Sequence, residues 1–158
     1  MYSIQPVSLE HSPALCAFLQ RQWGGNTVVS LGRVHKIDTL CGFAATQGDE
    51  LLGLITYEVC DDACEIVTLD SVSEHRGIGT ALLSTVSDYA KVQACKRLWL
   101  VTTNDNTHAI RFYQRRGFTM VALHLNAIEE YRRIKPQIPL IGFDNIPILH
   151  EIEFEKAL

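Results

Sequence analysis

Residues 74–83 read Glu74-His75-Arg76-Gly77-Ile78-Gly79-Thr80-Ala81-Leu82-Leu83, and they sit where one periodicity gives way to another. Residues 64–69 before them have the apolar, β-branched character of a strand. After them Ala81, Leu82, Val86, Tyr89 and Ala90 recur at helical spacing, so a helix is expected over residues 80–94. A strand therefore feeds a glycine loop that opens a helix. The first N–H groups of a helix have no acceptor within it, and the helix dipole adds partial positive charge there. Gly77 and Gly79 lack a Cβ, which lets an anion come close to the chain. The main-chain amides of His75, Arg76, Gly77, Ile78, Gly79 and Thr80 form the expected phosphate seat. A dinucleotide fingerprint is excluded because Leu82 stands where the third glycine belongs and the loop follows antiparallel hairpins. The Gly-Lys-Ser/Thr ending of a Walker loop is missing as well.

On the N-terminal side, residues 2–6 read as a short strand. Ser8 or Ser12 can cap the helix-spaced run Ala14, Leu15, Phe18, Leu19, which Gly24-Gly25 ends. Strands follow at residues 40–46, 51–59 and 64–69, joined by the polar turns Gly48-Asp49-Glu50 and Asp61-Asp62 into antiparallel hairpins. On the C-terminal side come a buried strand at 97–103, a helix at 107–116 stopped by Gly117, and a strand at 118–125. A helix at 127–135 is ended by Pro136, and a last strand carries Ile148, Ile152 and Phe154. The pattern is an α+β fold built on one mixed sheet, spanning residues 1–158 as a single domain.

Composition narrows the function classes. A hydrophobic share of 47% is too high for a disordered chain. The net charge is −4 and no basic cluster exceeds the pairs Arg115-Arg116 and Arg132-Arg133, so a nucleic-acid partner is not expected. No apolar run approaches the roughly 18 residues a membrane span needs, and residues 2–10 do not read as a secretion signal; a cytoplasmic location without membrane association is expected. The five cysteines form no C-x-x-C and read as reduced core residues, and the six histidines have no ligand spacing, so no metal is expected.

The stretch Asn104-Asp105-Asn106-Thr107-His108-Ala109-Ile110-Arg111-Phe112-Tyr113-Gln114-Arg115-Arg116-Gly117-Phe118, taken with the glycine loop, resembles the GNAT acetyltransferase superfamily. The shared features are the Asn, the Ala three residues after Asn106, the Tyr four further on, and the Gly-Phe pair. The resemblance implies a mainly antiparallel sheet of about seven strands, flanked by about four to five helices, with a splayed central strand pair. It implies acetyl-CoA as co-substrate, with its diphosphate on the glycine loop and its pantetheine arm pairing with the strand at Val67 and Leu69. Glu74 departs from the Gln or Arg usual at the start of that loop. Asn104 and Asn106 either hydrogen-bond the pantetheine or cap the next helix.

The implied reaction is direct transfer of acetyl to a primary amine, of a small molecule in the first place and of a protein in the second. Tyr113 is the expected proton donor to the leaving thiolate. Glu65 is the expected base, four residues before Leu69 and so on the same face of a regular strand; Asp70, Glu58 and His108 are weaker candidates. A main-chain N–H near Leu69 is expected to hold the oxyanion. Trp23, Arg33 and His35, on a connecting loop, are the expected acceptor contacts. The tail from 126 to 147 reads as a fixed apolar flap over the acceptor or a homodimer contact. The competing reading is a non-catalytic acyl-CoA sensor.

Overall fold

A computed structural model gives the architecture and describes residues 1–74 and 76–158; the expectation placed on His75 lies outside the described residues. The strands are β1 (Ser3–Ser8), β2 (Thr27–Ser30), β3 (Arg33–Lys36), β4 (Cys41–Gln47), β5 (Glu50–Cys60), β6 (Ala63–Ser71), β7 (Arg97–Thr103), β8 (Thr119–His124) and β9 (Glu151–Ala157). The helices are α1 (Pro13–Trp23), α2 (Ile78–Val92), α3 (Thr107–Gln114) and α4 (Ala127–Ile134). Seven strands form one sheet in the order β1-β4-β5-β6-β7-β9-β8, while β2 and β3 form a separate hairpin. Among the described residues no helix is long and apolar enough to cross a membrane.

Neighbouring strands of the sheet are antiparallel except β6 and β7, which run parallel. That parallel pair joins only at Ala63–Arg97, Cys64–Leu98 and Glu65–Trp99. Beyond Glu65 the two strands part, and their facing main-chain groups have no ladder partners. A bulge marks the place. Thr56 of β5 faces Thr68, but the next residue, Tyr57, faces Ile66, so Val67 is an extra residue in β6. Side-chain direction changes with it. Ile66 and Leu69, three apart, both pack into the cluster beneath α2, whereas Val67 packs with Leu54 and Val28 on the opposite side. A regular strand would have put Glu65 and Leu69 on one face. The bulge puts them on opposite faces, which corrects the basis on which Glu65 was aligned with the cleft.

Two cores follow from the two faces. Leu82, Val86 and Ala90 of α2 and Tyr113 of α3 bury against Ile55, Leu98 and Phe154 on one face. Leu15, Phe18 and Leu19 of α1 bury against Ala44, Leu54 and Val67 on the other, where Ile128 and Tyr131 of α4 also pack with Ile148. The helix α1 stops where expected, at Gly24 in the left-handed conformation (φ 70°).

The stretch expected as an acceptor loop is instead the β2–β3 hairpin. Its two-residue turn, Leu31-Gly32, has both φ values positive (48° and 75°), which suits the twist of the strands. Leucine in that position gives no turn signal, which is why the hairpin reads as loop. Ile148 also departs from expectation, since the last strand begins only at Glu151 and Ile148 belongs to the α4 cluster. Of the cysteines only Cys64 and Cys95 are buried; Cys41 and Cys60 are exposed at the ends of β4 and β5, and all five are free.

A Cβ on Gly42 would run into the Ile55 carbonyl, a main-chain atom that cannot rotate away. Gly42→Ala is therefore expected to cost about 1–3 kcal/mol, read as a lower midpoint in thermal unfolding.

Candidate active site and acceptor chamber

The splay opens a cleft of about 550 Å³ that passes through the sheet between residues 66–70 and residues 100–103. Tyr113 of α3 stands at its α2–α3 side. Phe112, Phe118 and Phe154 fix the ring, the first two edge-on at 5.1 and 5.3 Å between centroids. Its hydroxyl makes no hydrogen bond among the described residues, although the side chain is only 6% exposed. Burial first, and then the negative charge of Asp70, push the phenol above its usual range, with Arg116 opposing. It stays protonated at neutral pH.

On the opposite wall Asp70 accepts a 2.9 Å hydrogen bond from the Trp23 indole N–H at the end of α1. Burial pushes its carboxyl up to about 6, and the indole pulls it back down. A carboxylate near that value is ionised at neutral pH and still basic enough to take a proton. Val67, Leu69, Asp70 and Trp23 all line the cleft.

Glu65 does not line it. The residue is 3% exposed and lies behind the wall, where Ser30 donates to its Oε1. Its Oε2 lies 3.7 Å from Arg33 and 3.3 Å from His35 Nε2. Arg33 also reaches Glu58 at 3.2 Å, and His35 Nδ1 reaches Glu58 at 2.8 Å. The expected acceptor contacts Arg33 and His35 are therefore spent in pinning the hairpin to β5 and β6. His35, Glu58 and Glu65 bring ligand-type atoms within 4.8 Å of one another. Arg33 lies against both carboxylates, so the cluster is an ion-pair network with one arginine for two acids.

The glycine loop lies outside the cleft, at the exposed start of α2. Gly77 is the N-cap with φ 73°, and no described side chain caps this end. Helical geometry leaves the amides of Ile78, Gly79 and Thr80 without helix acceptors. Ile78 itself is 1% exposed and anchors the loop in the core. Arg76 is exposed and donates to Gln47. A cation that sequence reasoning missed lies beside this helix start. The Arg116 guanidinium lies 3.6 Å from the centre of the Phe112 ring and donates to Thr80 Oγ1 at 3.0 and 2.6 Å. Its only signal in sequence was one half of an arginine pair.

Asn106 is the α3 cap, accepting from the Ala109 N–H at 3.1 Å, and it also borders the cleft. Asn104 does neither of the things expected of it. Its oxygen accepts from the Leu149 and His150 N–H groups and its nitrogen donates to the Pro147 carbonyl. It holds the tail. Asp105, 2% exposed, accepts from Thr103 and from the Phe143 N–H, and Gly142 is small enough to let that carboxylate in. Arg132 donates to the carbonyls of Ile138, Pro139 and Ile148. The tail is thus a fixed strap whose Ile138, Pro139, Phe143 and Ile148 line the cleft on the α1–α4 side.

Comparison with known proteins agrees with this geometry. Residues 8–118 match the Acetyltransferase (GNAT) family. The chain is 43% identical over 143 residues to YxbD of Bacillus subtilis strain 168, covering 90% of both chains. It has the fold of the IAA acetyltransferase from Bacillus cereus ATCC 14579, with a TM-score of 0.76, 19% identity and 100% of each chain covered. It also has the fold of a GNAT family acetyltransferase from Elizabethkingia anophelis with acetyl-CoA bound, with a TM-score of 0.71, 20% identity, and 99% and 98% of the chains covered. The chain belongs to the GNAT acetyltransferase family.

Asn104→Ala removes three hydrogen bonds that fasten the strap. It is expected to lower stability by about 1–3 kcal/mol and to speed amide exchange at residues 147–150, with the affinity for acetyl-CoA unchanged.

Proposed function

We propose that the protein is an acetyl-CoA-dependent N-acetyltransferase that moves the acetyl group directly to a primary amine of a small molecule. The observation that carries this reading is the pairing of Asp70 and Tyr113 on opposite walls of one through-sheet cleft, the first poised to accept a proton and the second holding one. The donor enters from the α2–α3 face. Amides of Ile78, Gly79 and Thr80, with Arg116 beside them, hold its diphosphate. The unpaired main chain of β6 at Val67 and Leu69 pairs with the pantetheine arm like an added strand. The acceptor enters from the α1–α4 face. Asp70 takes a proton from its ammonium, and the free amine attacks the thioester carbon. As the C–N bond forms and the C–S bond breaks, a main-chain N–H near Leu69 steadies the oxyanion. Tyr113 gives its proton to the departing thiolate, and the second N–H proton, lost from the nitrogen as the amide forms, passes to solvent while the phenol is reprotonated. No cysteine lines the cleft among the described residues, which favours direct attack over an acyl-cysteine route. Glu65, held in its ion-pair network, is a positioning residue for the hairpin that walls the acceptor side.

Kinetics with a panel of amines test this. kcat/KM should fall below about pH 6, because protonated Asp70 cannot act as base. Asp70→Asn should lower kcat by about 10²–10⁴-fold and abolish that acid limb. Trp23→Phe removes a donor that stabilises the carboxylate, so the limb should move to higher pH. Tyr113→Phe should depress kcat with little effect on acetyl-CoA binding. Tight acetyl-CoA binding with no turnover on any amine would point instead to a sensor. Arg116→Ala is expected to raise the KM for acetyl-CoA about tenfold and to leave the acid limb set by Asp70 in place.

A further inference from the structure

The acceptor half of the cleft holds more negative charge than one attacking amine accounts for. Three carboxylates line the cleft: Asp70, Asp105 and Glu151. Those of Asp105 are spent, one oxygen on Thr103 and the other on the Phe143 N–H. Asp70 is the proposed base. Glu151 remains.

Glu151 lies at the start of β9, opposite Thr103, and is 2% exposed. Its Oε1 accepts from the Tyr131 hydroxyl at 2.7 Å and from the Leu31 N–H at 3.2 Å. Among the described residues its Oε2 has no hydrogen bond and no cation forms an ion pair with the carboxylate; burial pushes its pKa up, and the His124 imidazole, its neighbour across the β8–β9 ladder, acts on it only through space in the opposite direction. The other acids on that face of β9 are treated differently. Glu153 pairs with Arg97 and His124, and Glu155 with Arg97. The cations on the cleft wall do not compensate Glu151 either. Lys135 gives its ammonium to the carbonyls of Trp23 and Thr27, and Arg21 is exposed at the rim.

A buried carboxylate with donors on one oxygen only is costly unless something else meets the second. The surrounding walls, Trp23, Tyr131, Ile128 and Ile138, are aromatic and aliphatic, suited to a hydrocarbon spacer. We propose that the acceptor is a dibasic amine: one nitrogen is acetylated between Asp70 and Tyr113, while the second stays protonated and docks on the free oxygen of Glu151 across the apolar chamber. The assignment rests on the acyl-transfer reading above and narrows its substrate class. It disfavours acceptors that carry a carboxylate in place of the second cation, since two anions would then face each other in a desolvated pocket.

Binding tests it without relying on turnover. The protein, with and without CoA, is titrated calorimetrically with putrescine and cadaverine and with the matching monoamines, butylamine and pentylamine. Diamines should bind about tenfold or more tightly than the monoamines, the size of one charge-assisted hydrogen bond. In Glu151→Gln the difference should vanish. Glu151→Asp, which keeps the charge but draws it back by one methylene, should retain a preference and shift it towards the longer diamine. Equal affinity for diamines and monoamines in the wild type, or a preference that survives in Glu151→Gln, would overturn the proposal. So would the absence of binding by either class. The wild-type comparison needs no variant to fold. Acetylation of monoamines as readily as diamines would leave the acetyltransferase reading standing while removing this one.

Discussion

The parting of β6 from β7 after three paired residues is the constraint from which the rest of the molecule follows. A sheet that stops pairing in its middle leaves main-chain donors and acceptors without partners, which a folded chain tolerates only where something else can meet them. Here the opening is fixed from both sides. Val67 is an extra residue in β6, and the bulge bends the strand away while turning Leu69 to one face and Asp70 to the other. On the far side β7 stays in full register with β9 through Thr103, so it cannot follow. The gap is therefore built into the covalent length of the strands.

A gap through a sheet has two mouths, and the helices divide them. The α2–α3 mouth carries a helix N-terminus, a stacked arginine and a phenol. The α1–α4 mouth carries an indole, two carboxylates and an apolar strap. Main-chain amides and a cation on one side are thus separated from carboxylates on the other by the thickness of the sheet. Asp70 and Tyr113 can sit on opposite walls because they descend from opposite faces: one from β6 just after the bulge, the other from a helix buried in the α2-side core.

Much of this was legible in the sequence because it depends on local chemistry. Gly77 and Gly79 before a helix-spaced run, Gly24 after one, and the polar turns between strands all specify backbone shape within a few residues, and the elements formed there. What escaped depends on events between distant residues. The β2–β3 hairpin turns on Leu31 with positive φ, a position where leucine carries no signal. The orientation of Glu65 depends on one inserted residue, and a period-two reading cannot detect a bulge that only the partner strand reveals. Asn104 looked like a ligand contact, yet its partners lie 43 to 46 positions away in the tail. Arg116 could be recognised as a neighbour of the glycine loop only once α3 had carried it back to Thr80, 36 residues earlier.

Lys135 illustrates how the α1–α4 side is held together. Its ammonium is almost wholly buried, burial pulls its pKa downward, and it donates to the Trp23 and Thr27 carbonyls. One flexible side chain thereby ties the end of α4 to the end of α1 and the start of the hairpin, three walls that share no ladder with the central sheet. That bond works beside the links which fasten the same walls to the sheet, Trp23 to Asp70 and Tyr131 to Glu151. Loss of that one ammonium would loosen the whole α1–α4 enclosure while leaving the opening between β6 and β7 as it is.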